Sequence, residues 1–269
     1  MDGSDAQGDG SKAMTYRPHV LVIAGTDSSG GAGLVRDVQV ISHFGARASC
    51  AVTAVTAQTH GHVAVTHLMP PELVRSQIAT ALSASPTKAI KIGMLGSGAL
   101  VRAVIEALPD RAEIPIVLDP VLSASSGTEL LDSEGLALLR DCLLGQSTLV
   151  TPNLVEAARL LDQNLATTHA EQSRQAEELL KFGSEWVLIK GGHATDGDAL
   201  DILATRSAAP LFFRAPRLNT TMRGTGCSLS SAIAALLAAG VSVPSACEQA
   251  KSYVYDRLLE ARGAATMHG

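Results

Sequence analysis

The chain has 269 residues, 46% of them hydrophobic, enough to bury one large core or two small ones. Its 21 Lys and Arg against 26 Asp and Glu give a formal net charge of −5 with no basic block, which excludes the footprint of a nucleic-acid binder and leaves a small molecule as the expected partner. Aromatics are only 3%, and no apolar run reaches the length of a membrane span, so a tightly packed, cytoplasmic α/β protein is expected rather than a β-sandwich or a membrane protein.

Residues 1–17, rich in Gly, Ser and Asp, read as a mobile tail without the basic and apolar regions of a secretory signal. Residues 18–269 read as one domain. His19 to Ala24 is a short continuous apolar run, typical of a buried parallel strand. Gly33 to Phe44 has a helical period, with Leu34, Val38, Ile41 and Phe44 on its inner face. Ser49 to Ala57 and Val63 to Leu68 are strand-like, and Pro71 to Ala84 is helical with proline in its first turn. Ala89 to Ile92 is a strand, and Ser97 caps a helix running to about Leu108.

Ile116 to Leu118 is a strand ending at Asp119, Ser133 to Leu144 a helix, and Thr148 to Val150 a strand. Asn153 starts a helix to Leu161, and His169 to Lys181 forms the next. Trp186 to Ile189 is a strand ending at Lys190. Leu200 to Thr205 and Leu211 to Ala215, around a loop containing Pro210, suggest an antiparallel hairpin. Gly224 opens a long Ala- and Leu-rich helix, and a last helix spans about Ser245 to Ala261. The alternation predicts a mostly parallel sheet with helices on both faces, whose ligands bind beyond the carboxyl ends of the strands.

Two glycine-rich loops lie at such ends. The first, AGTDSSGGAG from Ala24 to Gly33, lacks the lysine and hydroxyl of a GxxxxGK[ST] phosphate cradle and fails the GxGxxG dinucleotide pattern. It is either a plain strand-to-helix turn or a place where a flat ligand approaches bare backbone. The second, Gly224-Thr225-Gly226-Cys227, immediately precedes a strong helix, where successive N–H groups and the helix dipole suit an anion. Cys227 is either a small core residue or a proton acceptor whose thiolate the helix end favours. The other cysteines, Cys50, Cys142 and Cys247, are too scattered for a disulfide framework or a zinc site.

The motifs AGTDSSGGAG, AVTAQ, KIGML, LDPV, TPNLVEA, LIKGGH and GTGCSLSSAIAA occur in an order that resembles the ribokinase-like superfamily. Within it the resemblance is to the bacterial hydroxymethylpyrimidine/phosphomethylpyrimidine kinases of thiamine biosynthesis, from about His19 to Tyr253. That resemblance implies a three-layer α/β/α fold with a mainly parallel central sheet and a small β flap, and a homodimer. It implies ATP- and Mg2+-dependent phosphorylation of 4-amino-5-hydroxymethyl-2-methylpyrimidine and then of its monophosphate. By resemblance, Gly25, Asp37, Gln58, Met94 and Val121 belong to the pyrimidine site. Asn153 and Lys190 belong to the ATP site, and Glu156, with Asp119, to the metal. Gly224, Thr225 and Gly226 match the anion hole and Cys227 the proposed base. Sugar kinases of the superfamily carry aspartate at that position, so cysteine points to the pyrimidine and pyridoxal branch.

Each of these positions has a plainer reading. Asn153 and Glu156 also satisfy the rules of a helix cap, Asp37 also suits a solvated helix face, and Met94 and Val121 also suit a core. The chain departs from the family at Thr221-Met222-Arg223, where Asn-Thr-His is common, and at Val155, where proline is common. A pyridoxal kinase and a non-catalytic pyrimidine-binding regulator are the rival readings.

Overall fold

The computed structural model describes residues 17–59, 61–124, 127–191, 198–218, 220 and 222–266. The expected tail, Arg17 apart, lies outside them, as do Gly192 and His193 of the LIKGGH motif and Thr221. The strands are β1 (His19–Asp27), β2 (Arg47–Gln58), β3 (Val63–Leu68), β4 (Thr87–Ile92), β5 (Ile116–Leu118), β6 (Leu149–Val150), β7 (Trp186–Ile189), β8 (Ala199–Thr205) and β9 (Ala208–Ala215). They form one sheet in the order β3-β2-β1-β4-β5-β6-β7-β8-β9. From β2 to β7 the neighbours are parallel, while β3 at one edge and β8 and β9 at the other pair antiparallel.

The pleat assigns the strand side chains to two layers. Leu21, Ile23, Ile90, Ile92, Ile116 and Leu118 pack with α2 (Pro71–Ala84), α3 (Gly98–Ala107), α6 (Leu154–Leu161) and α7 (His169–Leu180). Val20, Val22, Val117 and Leu188 face the opposite layer of α1 (Gly33–His43), α8 (Thr225–Ala238) and α9 (Val243–Thr266). Each large apolar side chain taken fully out of water on either face contributes about 1.5–3 kcal/mol. No helix among the described residues is long and apolar enough to cross a membrane.

Several elements differ from the sequence expectation. β1 continues through Gly25-Thr26-Asp27, so the first glycine loop shrinks to residues 28–32. The inner face of α1 is turned: Val38 is exposed, while Leu34, Asp37, Val40 and Ile41 are buried. The turn follows from Asp37 pointing inward to a buried partner, described below. The helix expected from Ser133 to Leu144 is broken into α4 (Ser133–Leu138), a π-helical turn (Leu139–Leu143) and α5 (Leu144–Gln146). Pro210 lies within β9 rather than in the hairpin loop, which an edge strand tolerates because it has a free side.

At the sheet end away from the glycine loops, Arg111 gathers carbonyls that close the ends of α5 and α7. Its Nη1 donates to the oxygens of Gly145 and of Gly183, the latter at 2.7 Å. Helix ends leave such carbonyls without intrahelical donors, and a charged donor supplies the missing bond. Arg111→Ala should cost about 1.5–3 kcal/mol, lowering the thermal midpoint by roughly 5 °C. Calorimetry alongside steady-state kinetics should show that loss with turnover unchanged.

Candidate active site

The two glycine loops meet backbone to backbone. Gly224, with φ +72°, is the N-cap of α8, and a Cβ there would stand 2.3 Å from the Gly31 carbonyl oxygen and 3.2 Å from the Ala32 Cα. Gly33, with φ +60°, is packed as tightly, its Cβ position 2.4 Å from the Gly25 carbonyl oxygen. The Gly33 N–H favours the Cys227 thiolate. Gly25 and Cys227, far apart in sequence, are brought together by this contact of the loops. Gly25 also marks a bulge in β1, and its Cβ position is 3.1 Å from the Met94 sulfur.

A second cluster stands beside Gly226. The Lys190 ammonium donates to Asp119 Oδ1 at 2.8 Å and lies 3.9 Å from Glu156 Oε2. A Cβ on Gly226 would fall 3.2 Å from that ammonium and 3.6 Å from Asp119 Oδ2. Asn153 and Glu156 form a reciprocal cap at the start of α6: the Glu156 N–H donates to Asn153 Oδ1, and the Asn153 N–H to Glu156 Oε2, both at 2.8 Å. A backbone bridge ties Asn153 to Lys190. The plain capping reading thus holds for this pair, and Glu156 Oε1 is left to face other groups.

Electrostatics set the protonation states. Burial pushes the Glu156 carboxyl up to about 7, against the pull of Lys190. Burial acts on Asp119 in the same sense, but Lys190 and Lys91 overcome it and hold that carboxyl below its usual range. Burial raises the Cys227 thiol to about 11; Lys91 lowers it, Asp37 and Asp119 raise it, and the Gly33 N–H lowers it. The expected helix-end stabilisation of the thiolate is thus outweighed by loss of solvent.

The remaining expected residues are placed as follows. Gln58 ends β2 next to the antiparallel β3 ribbon, and its backbone N–H donates to the Ser28 hydroxyl at 2.8 Å. Met94 lines a groove of about 380 Å³ with Thr66, Leu68, Gly96 and Leu130. Val121 is half-buried just past Asp119, to whose carbonyl its N–H donates at 2.8 Å. Asp37 is neither on a solvated face nor on the surface of the cleft. It is 0% exposed, with one oxygen on Lys91 and the other on Ser231.

Sequence reasoning missed three partners. Lys91 interrupts the apolar run of β4, which was a legible signal. Ser231 sits one turn beyond Cys227 on α8. Arg223, which the sequence left open between phosphate contact and solvent, bridges the loops: it lies 3.4 Å from Asp27 Oδ2 and donates to the Thr59 carbonyl at 2.7 Å.

A model of the phosphomethylpyrimidine kinase family matches residues 27–269. The chain belongs to that family. It is 40% identical over 254 residues to the hydroxymethylpyrimidine/phosphomethylpyrimidine kinase of Escherichia coli, covering 94% of this chain and 95% of that one. Its fold matches the crystal structure of phosphomethylpyrimidine kinase from Clostridium difficile with a TM-score of 0.78 at 32% identity, covering 90% and 99% of the two chains. It also matches the Staphylococcus aureus pyridoxal kinase in complex with AMP-PCP and pyridoxal, with a TM-score of 0.80 at 27% identity, covering 89% and 87%. This phosphomethylpyrimidine kinase family member is therefore a kinase with a ribokinase-like fold.

The contact between the loops gives a direct test. Gly224→Ala adds a Cβ both to a left-handed backbone and onto the Gly31 carbonyl. Gly240→Ala meets the same backbone constraint at φ +85° with nothing within 4 Å. The Gly240 variant should lose about 1 kcal/mol of stability and keep its turnover. The Gly224 variant should lose more stability and on the order of a hundredfold in kcat through misplacement of the helix end, as denaturation and steady-state assays would record.

Proposed function

We infer that this kinase transfers the terminal phosphoryl group of ATP to the hydroxyl of 4-amino-5-hydroxymethyl-2-methylpyrimidine, and then a second one to the resulting monophosphate, in thiamine biosynthesis. The observation that carries this reading is the single junction of Gly25, Gly33, Gly224 and Cys227, with Lys190 and Asp119 beside Gly226. An acceptor loop and a donor-side anion hole are what an in-line transfer needs side by side.

In this reading the Cys227 thiol first loses its proton to solvent. Its sulfur then takes the proton of the substrate hydroxyl as that oxygen bonds to phosphorus and the ADP oxygen leaves. The N–H groups of Gly224, Thr225, Gly226 and Cys227 stabilise the charge on the transferring group. Lys190 faces the nucleotide phosphates, and Asn153 holds the start of α6 against it. Gln58 offers an amide that donates and accepts at once to the aminopyrimidine edge, with Gly25, Met94 and Val121 as its apolar surroundings. Asp37 moves from the substrate surface to a supporting place beneath Cys227.

Asp119 and Glu156 present hard carboxylate oxygens, the donors that magnesium takes when phosphates and water fill its other positions. Among the described residues no three His, Cys, Asp or Glu side chains form a complete cage by themselves. These two carboxylates therefore fit a magnesium ion shared with the nucleotide, which would neutralise phosphate charge when bound. The homodimer belongs to the same reading, with Val55 and Val65 exposing apolar surface on the β2–β3 edge. So does a cytoplasmic setting.

The likeness to a pyridoxal kinase supports a second reading, with pyridoxal as acceptor. Higher identity to the pyrimidine kinases favours the first. Turnover on the pyrimidine, its monophosphate and pyridoxal with Mg-ATP decides between them; a strong preference for pyridoxal would overturn the pyrimidine assignment, and binding without ATP consumption would overturn both.

Cys227→Ala should lower kcat by about 10²–10⁴, and full activity in that variant would remove the base assignment. Glu156→Gln should lose activity while keeping the cap on the Asn153 N–H. Its pH dependence has a definite sign. The folded Glu156 carboxyl titrates at about 7, above the value of about 4.3 in an unfolded chain. The folded state thus holds the extra proton between those values, and stability declines as pH rises through that window. Chemical denaturation of Glu156→Gln between pH 5 and pH 8 should lack that decline.

A further inference from the structure

Lys91 is a charged residue in the interior that the reaction scheme leaves unused. It lies in β4 between Ile90 and Ile92, all three 0% exposed, and the strand alternation turns it away from those two and toward α1 and α8. Its ammonium donates to Asp37 Oδ2 at 2.9 Å, with both side chains 0% exposed. Ser231 on α8 donates to Asp37 Oδ1 at 2.8 Å, and Cys227 lies one helical turn before it on the same face. The ammonium reaches the cleft end of β4, where a Cβ on Gly93 would fall 2.8 Å from Nζ. One buried ion pair thus joins β4, α1 and α8 directly behind the helix start that carries the thiol.

Packing gives no reason for such a pair. Removing two charges from water costs several kcal/mol per ion, and an apolar pair of similar volume holds two layers at least as well. The charges that face Cys227 are Asp37 from α1, Lys91 from β4, Asp119 beyond β5 and Lys190 beyond β7; the Gly33 N–H adds a dipole. Lys91 favours the thiolate more strongly than Asp37 opposes it. Lys91 itself stays charged, because Asp37 more than offsets the cost of burying it.

We propose that Lys91 is a positioning residue for phosphoryl transfer: its ammonium, oriented by Asp37, faces Cys227 and stabilises the sulfur anion that receives the substrate proton, while Asp37 moderates that charge. This deepens the reading of Cys227 as the base and rests on it. The pair sets how much thiolate is present before the acceptor arrives, and Ser231 keeps the pair in register with the helix that bears the thiol.

The test is the pH dependence of iodoacetamide alkylation at Cys227, resolved by peptide mass spectrometry on the full chain, with the exposed Cys142 as internal reference. Lys91→Met should move the Cys227 profile to higher pH and slow alkylation at fixed pH by on the order of tenfold. Asp37→Asn removes the carboxylate that keeps the buried ammonium charged, so it too should move the profile to higher pH, by less than Lys91→Met. Lys91→Arg, which keeps the charge, should restore much of the wild-type profile. A purely structural pair would open the cleft to solvent in both single variants and move the profile to lower pH; that outcome, or no shift in either, overturns the proposal. Where a single variant fails to fold, the Lys91→Met/Asp37→Asn double variant decides. It carries no unpaired buried charge and should still alkylate more slowly than wild type, and equal or faster alkylation would overturn the proposal. Full activity of Cys227→Ala would defeat the base assignment alone, because the alkylation profiles report on the thiol whether or not it takes part in catalysis.

Discussion

The cleft depends on one close approach, the carbonyl of Gly31 lying where any residue but glycine would carry a Cβ at position 224. That approach fixes the N-terminus of α8 against the loop that leaves β1. Everything the helix start offers is thereby aimed at everything the strand end offers. Gly33 repeats the device against Gly25, and its N–H favours the Cys227 thiolate. Neither loop is a phosphate cradle alone. The two make a site because their backbones touch.

Charge is arranged around that junction in two tiers. Lys190, Asp119 and Glu156 stand at the mouth, tied to α6 by the reciprocal cap with Asn153. Lys91 and Asp37 stand behind, sealed from solvent. In the front tier both carboxylates are held near a cation, and the glutamate keeps one oxygen engaged with backbone. The rear tier meets nothing from outside, so its effect passes through the thiol alone. Burial dominates the thiol, which is why the helix end does not bring it below its ordinary range here.

Much of the fold was legible because parallel strands with both faces covered leave continuous apolar runs, as in His19–Ala24 and Ile116–Leu118. Caps were equally readable at Ser97 and Asn153, where the side-chain oxygen and the N–H it serves are neighbours in sequence. What failed was whatever tertiary contact decides. The face of α1 was misjudged because Asp37 counts as polar in any periodicity, yet it is turned inward by Lys91 from a different element. The π-helical break at Leu139–Leu143 leaves no mark in the apolar pattern. In the candidate site, motif order pointed to Cys227, Glu156 and Lys190, while the contacts of Lys91, Ser231 and Arg223 became visible only with their partners. A lysine inside a buried strand was the one clue available, and it named no partner.

The far edge of the sheet carries a different lesson. β9 exposes Leu211 and Phe212 beside an otherwise open ladder, the composition of a strand that recruits others. Pro210 has no amide to offer, and the register of the hairpin shifts between Leu203 and Thr205 alongside it. Proline within an exposed edge strand is a feature that discourages pairing with a further chain, so the residue that misled the placement of the turn also makes this edge a poorer template.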